Sequence, residues 1–271
     1  MRLKNGKIDL LALTLVAALG VALAACQPKS AKDNSQPQTD VQNSATESTT
    51  QTADSSDIKL TPLTILALGD SLTEGLGVAS DANYPAQLQR ALQQKGYKNI
   101  QVINSGLSGE TSTGMINRLD WVAQTKPDIT ILTIGANDAI RGIDVAIVEK
   151  NIRTAIARLQ NDGSVIVLGG MQIYDNLGSD YVNAFSEMYP RIANDTGAAL
   201  IPFFLAGVAA DRNLNQADAI HPTAEGYKIV VNSNILPVLL PVIESTIKQK
   251  QAQKNDNLES TDAKNNEKKF L

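Results

Sequence analysis

One cysteine, Cys26, and one histidine, His221, are all that this 271-residue chain holds of the two side chains that most often build metal sites. A single cysteine permits no intrachain disulfide. With one imidazole and no His-Glu-x-x-His, no ligand set resembles a zinc site, and neither metal nor cofactor is inferred. Aromatic residues make up only 4% of the chain, too few for a carbohydrate platform of stacked rings. Basic residues form no long block and the formal charge is −4, which argues against a nucleic-acid partner. No Gly-x-x-x-x-Gly-Lys-Ser/Thr occurs to cradle a nucleotide phosphate. What remains is an ordinary globular composition, 43% apolar and 19% charged, enough for one sizeable domain with extensions.

The cysteine belongs to the N-terminus. Arg2, Lys4 and Lys7 precede an almost unbroken apolar stretch, Leu10 to Ala22, followed by Leu23-Ala24-Ala25-Cys26. Charge and length fit a signal peptide (1–25) rather than a membrane span. Small residues ending in cysteine resemble a bacterial lipobox, which implies that Cys26 is acylated and becomes the mature N-terminus. A soluble secreted protein cleaved nearby, with Cys26 incidental, is the alternative. The expected location is the bacterial cell envelope, through a lipid anchor. Gln27 in the next position favours the outer membrane, facing the periplasm, if the cell is Gram-negative.

Residues 26–57 are Gln, Ser, Thr, Asn, Asp and Ala with almost nothing to bury, so they are expected to be a disordered tether. Such a tether has an r.m.s. reach of roughly 30 Å. A second polar segment, 248–271, lacks apolar periodicity and is also expected to be disordered, extension of the last helix being the alternative. Between them, 58–247, short apolar runs alternate with helical patterns. Leu63–Leu68, Ile100–Asn104, Ile129–Ile134, Val165–Leu168 and Ala199–Pro202 read as strands. Tyr84–Lys95, Ser112–Gln124, Val145–Gln160 and Asn183–Asp195 read as helices, with a last helix from Pro222 that Pro237 and Pro241 are expected to kink or break. The alternation calls for an α/β fold, a three-layer α/β/α sandwich on a five-stranded parallel, flavodoxin-like sheet of default order 2-1-3-4-5.

In such a sheet, functional groups collect beyond the carboxyl ends of the strands. Gly69-Asp70-Ser71-Leu72-Thr73-Glu74-Gly75 follows the first strand, Asn104 to Thr111 the second, and Gly135-Ala136-Asn137-Asp138 the third. The fifth leads into the loop carrying Asp218-Ala219-Ile220-His221-Pro222. All four clusters therefore share one edge. Ser71 is the placed nucleophile and needs a base; His221 is the only imidazole. Asp218, three residues earlier, can fix its tautomer if the segment turns helically. Gly109, Asn137 and the Ser71 N–H are candidate oxyanion donors. Structural alternatives stay open at each position: Gly-Asp-Ser is ordinary turn chemistry, and His221 or Asn137-Asp138 could cap a helix. Asp70 reads as a turn-stabilising residue rather than an acid.

Together the four blocks resemble the GDSL, or SGNH, hydrolase family: Gly69-Asp70-Ser71-Leu72, Gly109, Gly135-x-Asn137-Asp138 and Asp218-x-x-His221-Pro222. Gly135 to Gly142, Met171-Gln172-Ile173, Tyr181-x-x-x-Phe185-x-x-x-Tyr189-Pro190 and Ile201-Pro202-Phe203-Phe204 are most similar to its bacterial thioesterase, lysophospholipase and arylesterase branch. The resemblance implies hydrolysis of esters or thioesters through an acyl-serine, with Ser71, Asp218 and His221 catalytic and Ser71, Gly109 and Asn137 forming the oxyanion hole. Expected partners are a small acyl ester, thioester or lysophospholipid and the membrane through Cys26, with the domain acting as a monomer. Gly142–Val148 and Tyr174–Val182 are expected to shape the acyl pocket. A carbohydrate or cell-wall acetylesterase on the same triad and a non-catalytic binding lipoprotein are the competing readings.

Overall fold

The computed structural model describes residues 59–174 and 177–267, with side chains through Asp256. The signal peptide, Cys26 and the tether lie outside the described residues. Five parallel strands form one sheet: β1 (Leu63–Gly69), β2 (Ile100–Gly106), β3 (Ile129–Thr133), β4 (Val165–Gly169) and β5 (Ala199–Ile201). Their order is β2-β1-β3-β4-β5, as expected from the alternation. β1, β3 and β4 are nearly continuous apolar runs because both of their faces are covered. β2, at an edge, is mostly half-buried.

Short helix α1 (Ser71–Glu74) follows β1 directly, and α2 (Tyr84–Gln94) carries the chain to β2. Helix α3 (Ser112–Ala123) connects β2 to β3. The short α4 (Ala136–Ile140) and the long α5 (Val145–Asn161) connect β3 to β4, and α6 (Ser179–Thr196) leads to β5. Helices α3, α5 and α6 pack side by side over one face of the sheet. The other face is covered by α2 with α7 (Ala224–Ile229), a π-helical turn (Val230–Ile235) and α8 (Leu236–Glu267).

Three boundaries differ from expectation. The final helix starts at Ala224, capped by the Thr223 hydroxyl rather than opening at Pro222. It does not break at Pro237 or Pro241. A π turn, Val230–Ile235, ends just before Pro237, which stands in the first turn of α8, where a proline costs no helical hydrogen bond; Pro241 lies inside the helix. Helix α8 also continues to Glu267, so residues 248–267 are helical rather than a disordered tail. Propagating a nucleated helix needs no apolar stripe, and Gln, Lys, Ala and Glu are good helix formers. By length and composition alone, the continuous helical run Ala224–Asp256, made of α7, the π turn and the first part of α8, could cross a membrane. However, Leu236, Leu239, Ile243 and Ile247 are buried in the core cluster, which makes this a core-packing face.

The carboxyl edge is held tightly under the site. Gly106 is required where β2 ends against α1: a Cβ there would sit 2.0 Å from the Glu74 backbone nitrogen. Thr73, Thr133 and Tyr84 form a buried hydroxyl cluster beneath the same turn, with Thr73 Oγ1 2.9 Å from Thr133 Oγ1 and 3.4 Å from the Tyr84 hydroxyl. The Tyr84 ring packs edge-on against Phe204, 5.2 Å away. The Tyr189 hydroxyl donates to the Ile134 carbonyl at 2.8 Å, fixing the exit of β3.

Candidate active site

Ser71 is the first residue of α1, immediately beyond β1. Asp70 caps that helix, its Oδ1 accepting from the Leu72 N–H at 3.0 Å, and Gly75 closes it in the left-handed conformation. The turn is therefore closed by hydrogen bonds at both ends, with Ser71 at its head. His221 Nε2 lies 2.8 Å from Ser71 Oγ, and His221 Nδ1 lies 2.7 Å from Asp218 Oδ2.

Asp218 and His221 meet by a different local route from the helical turn expected. Asp218 Oδ1 accepts from the N–H groups of Ile220 (2.9 Å) and His221 (3.0 Å), and Ala219 takes φ +60 between them. The side chain folds the loop around itself, a turn that aspartate can build and a helix cannot. Partial burial pushes the Asp218 carboxyl up. The His221 N–H, the Ile220 N–H and the imidazole outweigh it and hold the group at about 2. The loop is stapled to the rest of the edge. Gln216 donates Nε2–H to the Leu76 carbonyl (2.7 Å) and the Pro222 carbonyl (3.1 Å), its N–H reaches the His221 carbonyl (2.8 Å), and its own carbonyl accepts the Ala219 N–H (2.9 Å).

The second and third clusters are brought to the same place by contacts that sequence reasoning missed. Gly109 has φ +76, a conformation suited to glycine, and its carbonyl accepts from Arg141 Nη2 at 2.8 Å. The neighbouring Leu107 N–H donates to the Gly69 carbonyl at 3.0 Å, and Ser108 donates N–H (2.7 Å) and Oγ–H to the Glu74 carboxylate. Asn137 does not cap a helix; it lies within α4, whose N-cap is Gly135. Its Nδ2 donates to Asp70 Oδ2 at 3.4 Å. Asp138, wholly buried, accepts from the N–H (2.8 Å) and hydroxyl (2.7 Å) of Ser112, locking α4 to α3. The Arg118 guanidinium grips both oxygens of the buried Glu110 and donates to the Ser105 carbonyl (2.9 Å) and hydroxyl (2.8 Å). Only Asp138, adjacent to Asn137, carried a signal in the sequence; Glu110 and Arg118 find their partners only once the loops meet.

Among the described residues no group of three or more His, Cys, Asp or Glu could hold a metal ion. Tyr174 and Tyr181, from the segment expected to shape the acyl pocket, both reach the site loops. Tyr174 donates to the Ala219 carbonyl (3.3 Å) and Tyr181 to the Ile143 carbonyl (2.6 Å).

A parallel α/β/α sandwich with a serine, an imidazole and a carboxylate in series at its carboxyl edge defines the serine hydrolase class. The model of the GDSL-like lipase/acylhydrolase family matches residues 67–229, and the chain belongs to that family. It is 34% identical over 181 residues to esterase TesA of Pseudomonas aeruginosa, covering 66% of this chain and 89% of that protein. It is 30% identical over 170 residues to thioesterase 1/protease 1/lysophospholipase L1 of Escherichia coli K12, covering 62% and 80%. A solved structure of TesA superposes with a TM-score of 0.63 at 34% identity, over 66% of this chain and 98% of that one.

Proposed function

We propose that this protein is a serine esterase that hydrolyses acyl esters and thioesters through an acyl-serine on Ser71. The Ser71–His221–Asp218 series, with contacts of 2.8 and 2.7 Å, carries the reading. Ser71 Oγ attacks the substrate carbonyl carbon while His221 Nε2 takes its proton. Asp218 holds Nδ1–H and stabilises the imidazolium that forms. The carbonyl oxygen becomes an oxyanion facing the N–H groups of Ser71 and Gly109 and the amide of Asn137. Collapse expels the alcohol or thiol, which receives the proton from His221. A water then attacks the acyl-serine by the same route, giving the carboxylic acid and restoring Ser71.

The rim favours an acyl chain over a sugar. Leu76, Leu107, Ile140, Tyr174, Leu177 and Ile220 are exposed large apolar residues in the segments that follow the strands. Five of the six are aliphatic, which suits acyl chains, as in aryl esters, acyl thioesters and lysophospholipids, and leaves a sugar ring only Tyr174 to stack on. Across p-nitrophenyl esters from acetyl to long acyl, kcat/KM is expected to rise at least about tenfold beyond acetyl, the scale of a few buried methylenes. Turnover confined to the acetyl ester would overturn the acyl-chain reading in favour of an acetylesterase.

The same proposal includes attachment to a bacterial envelope membrane through acylated Cys26, at the outer membrane facing the periplasm in a Gram-negative cell. It rests on the lipobox pattern and Gln27. Mass spectrometry of the mature protein from a bacterial host should find Cys26 N-terminal and acylated; a mature chain with a free Cys26 thiol contradicts it.

A further inference from the structure

Asp70 sits beside the nucleophile with 2% of its surface exposed, and among the described residues no lysine or arginine pairs with it. A helix cap alone does not call for a buried negative charge, since serine or asparagine caps as well. Burial pushes the carboxyl up to about 6; the Leu72 N–H and His221 pull it down, while Glu110 and Asp138 push it up. The hydroxyls of Tyr84, Tyr189 and Tyr227 also lie within its field. At pH 8 the group is therefore a carboxylate held at a cost to stability.

What a carboxylate does that a neutral cap cannot is accept only. Oδ1 is taken by the Leu72 N–H, and Oδ2 faces Asn137 Nδ2. An acceptor-only neighbour forces the Asn137 amide to present its NH2 side, never its carbonyl. One N–H then serves Asp70 and the second stays available to the reaction. We propose that Asp70 is a positioning residue: its buried carboxylate fixes the rotamer of the Asn137 amide so that a donor, not a lone pair, faces the developing oxyanion. The inference rests on the oxyanion role proposed above for Asn137.

Asp70→Asn tests it. The new side chain keeps an oxygen for the Leu72 N–H and turns an NH2 toward Asn137, whose amide then flips and offers its carbonyl to the oxyanion. We expect kcat to fall about 10²–10³-fold, the scale of one lost oxyanion donor, with KM changed less than about threefold. Asn137→Ala should lose a similar factor. The double variant should be no more than about threefold worse than either single one, because both remove the same donor. The folded pKa of Asp70 is raised, so its stabilising protonated form is complete below 3.8 and is lost as pH rises through about 6. Asp70→Asn should therefore melt higher than the parent at pH 8, with the gap closing toward pH 5. Asp70→Ser, a cap without an amide, should lose less activity than Asp70→Asn. An Asn137→Ala loss below about tenfold would sink the oxyanion reading itself. If Asn137→Ala loses its full factor but Asp70→Asn stays active, or the two losses multiply, the positioning role is wrong.

Discussion

Replacing Ser71 with alanine should lower kcat by roughly 10⁴-fold or more, and His221→Ala by a similar factor, with the melting transition retained in both. Ser71 contributes no apolar packing at the site, so the loss is chemical. His221 is the only imidazole in the chain, and its Nε2 is 2.8 Å from Ser71 Oγ. Among the described residues no other side chain is hydrogen-bonded to Ser71 Oγ. The two groups act on one proton, so the double variant should be no slower than either single variant within a few-fold; steady-state kinetics on one aryl ester checks all three. A His221→Ala variant with most of its activity would contradict the assignment.

Asp218→Asn should cost about 10³–10⁴-fold in kcat, more than its exposed position suggests. Its carboxylate performs two tasks through different oxygens. Oδ1 accepts the Ile220 and His221 N–H groups and bends the loop; Oδ2 meets the imidazole. Asparagine can keep the first task with its carbonyl. It then presents NH2 to Nδ1, which drives the proton to Nε2 and leaves Ser71 facing a donor instead of a base. Fold and KM should survive while kcat collapses. Alanine abolishes both tasks, and with Ala219 already at φ +60 the loop loses the bond that holds it. Asp218→Ala should thus raise KM as well, and comparing the two variants separates tautomer control from loop shape. The lowered pKa also fixes the sign of its pH effect: its stabilising contribution is present above 3.8 and is lost as pH falls through about 2.

Two carboxylates flank this site and are displaced in opposite directions. Asp218 is held down by hydrogen bonds, while Asp70 is lifted to about 6 by burial. With its carboxyl lifted from 3.8 to about 6, keeping Asp70 charged near neutrality costs about 3 kcal/mol. Such a cost is typical of groups retained for function rather than stability.

Much of the fold was legible because the central strands are buried on both faces. Ile129 to Thr133 and Leu63 to Leu68 read as strands without any partner in view. β2 is different: its polar end, Ser105-Gly106, belongs to the strand only because Leu68 and Gly69 pair with it. The start of α6 at Ser179 and the helical run beyond Lys248 also carry no apolar period. The four polar clusters at the carboxyl edge were visible from strand ends, and the candidate base from the uniqueness of His221. The braces between them were not. Asp138 to Ser112, Arg141 to Gly109 and Asp70 to Asn137 join residues 26, 32 and 67 positions apart, and only closure of the fold brings them together.

The central claim, an acyl-serine on Ser71 formed with His221 as base, is tested most directly by trapping the nucleophile. A fluorophosphonate should add once per protein and abolish ester hydrolysis. Mass spectrometry should place the adduct on the peptide containing Ser71, with no adduct in Ser71→Ala and slow addition in His221→Ala. An adduct on a different serine, or full hydrolysis by protein modified at Ser71, would contradict it.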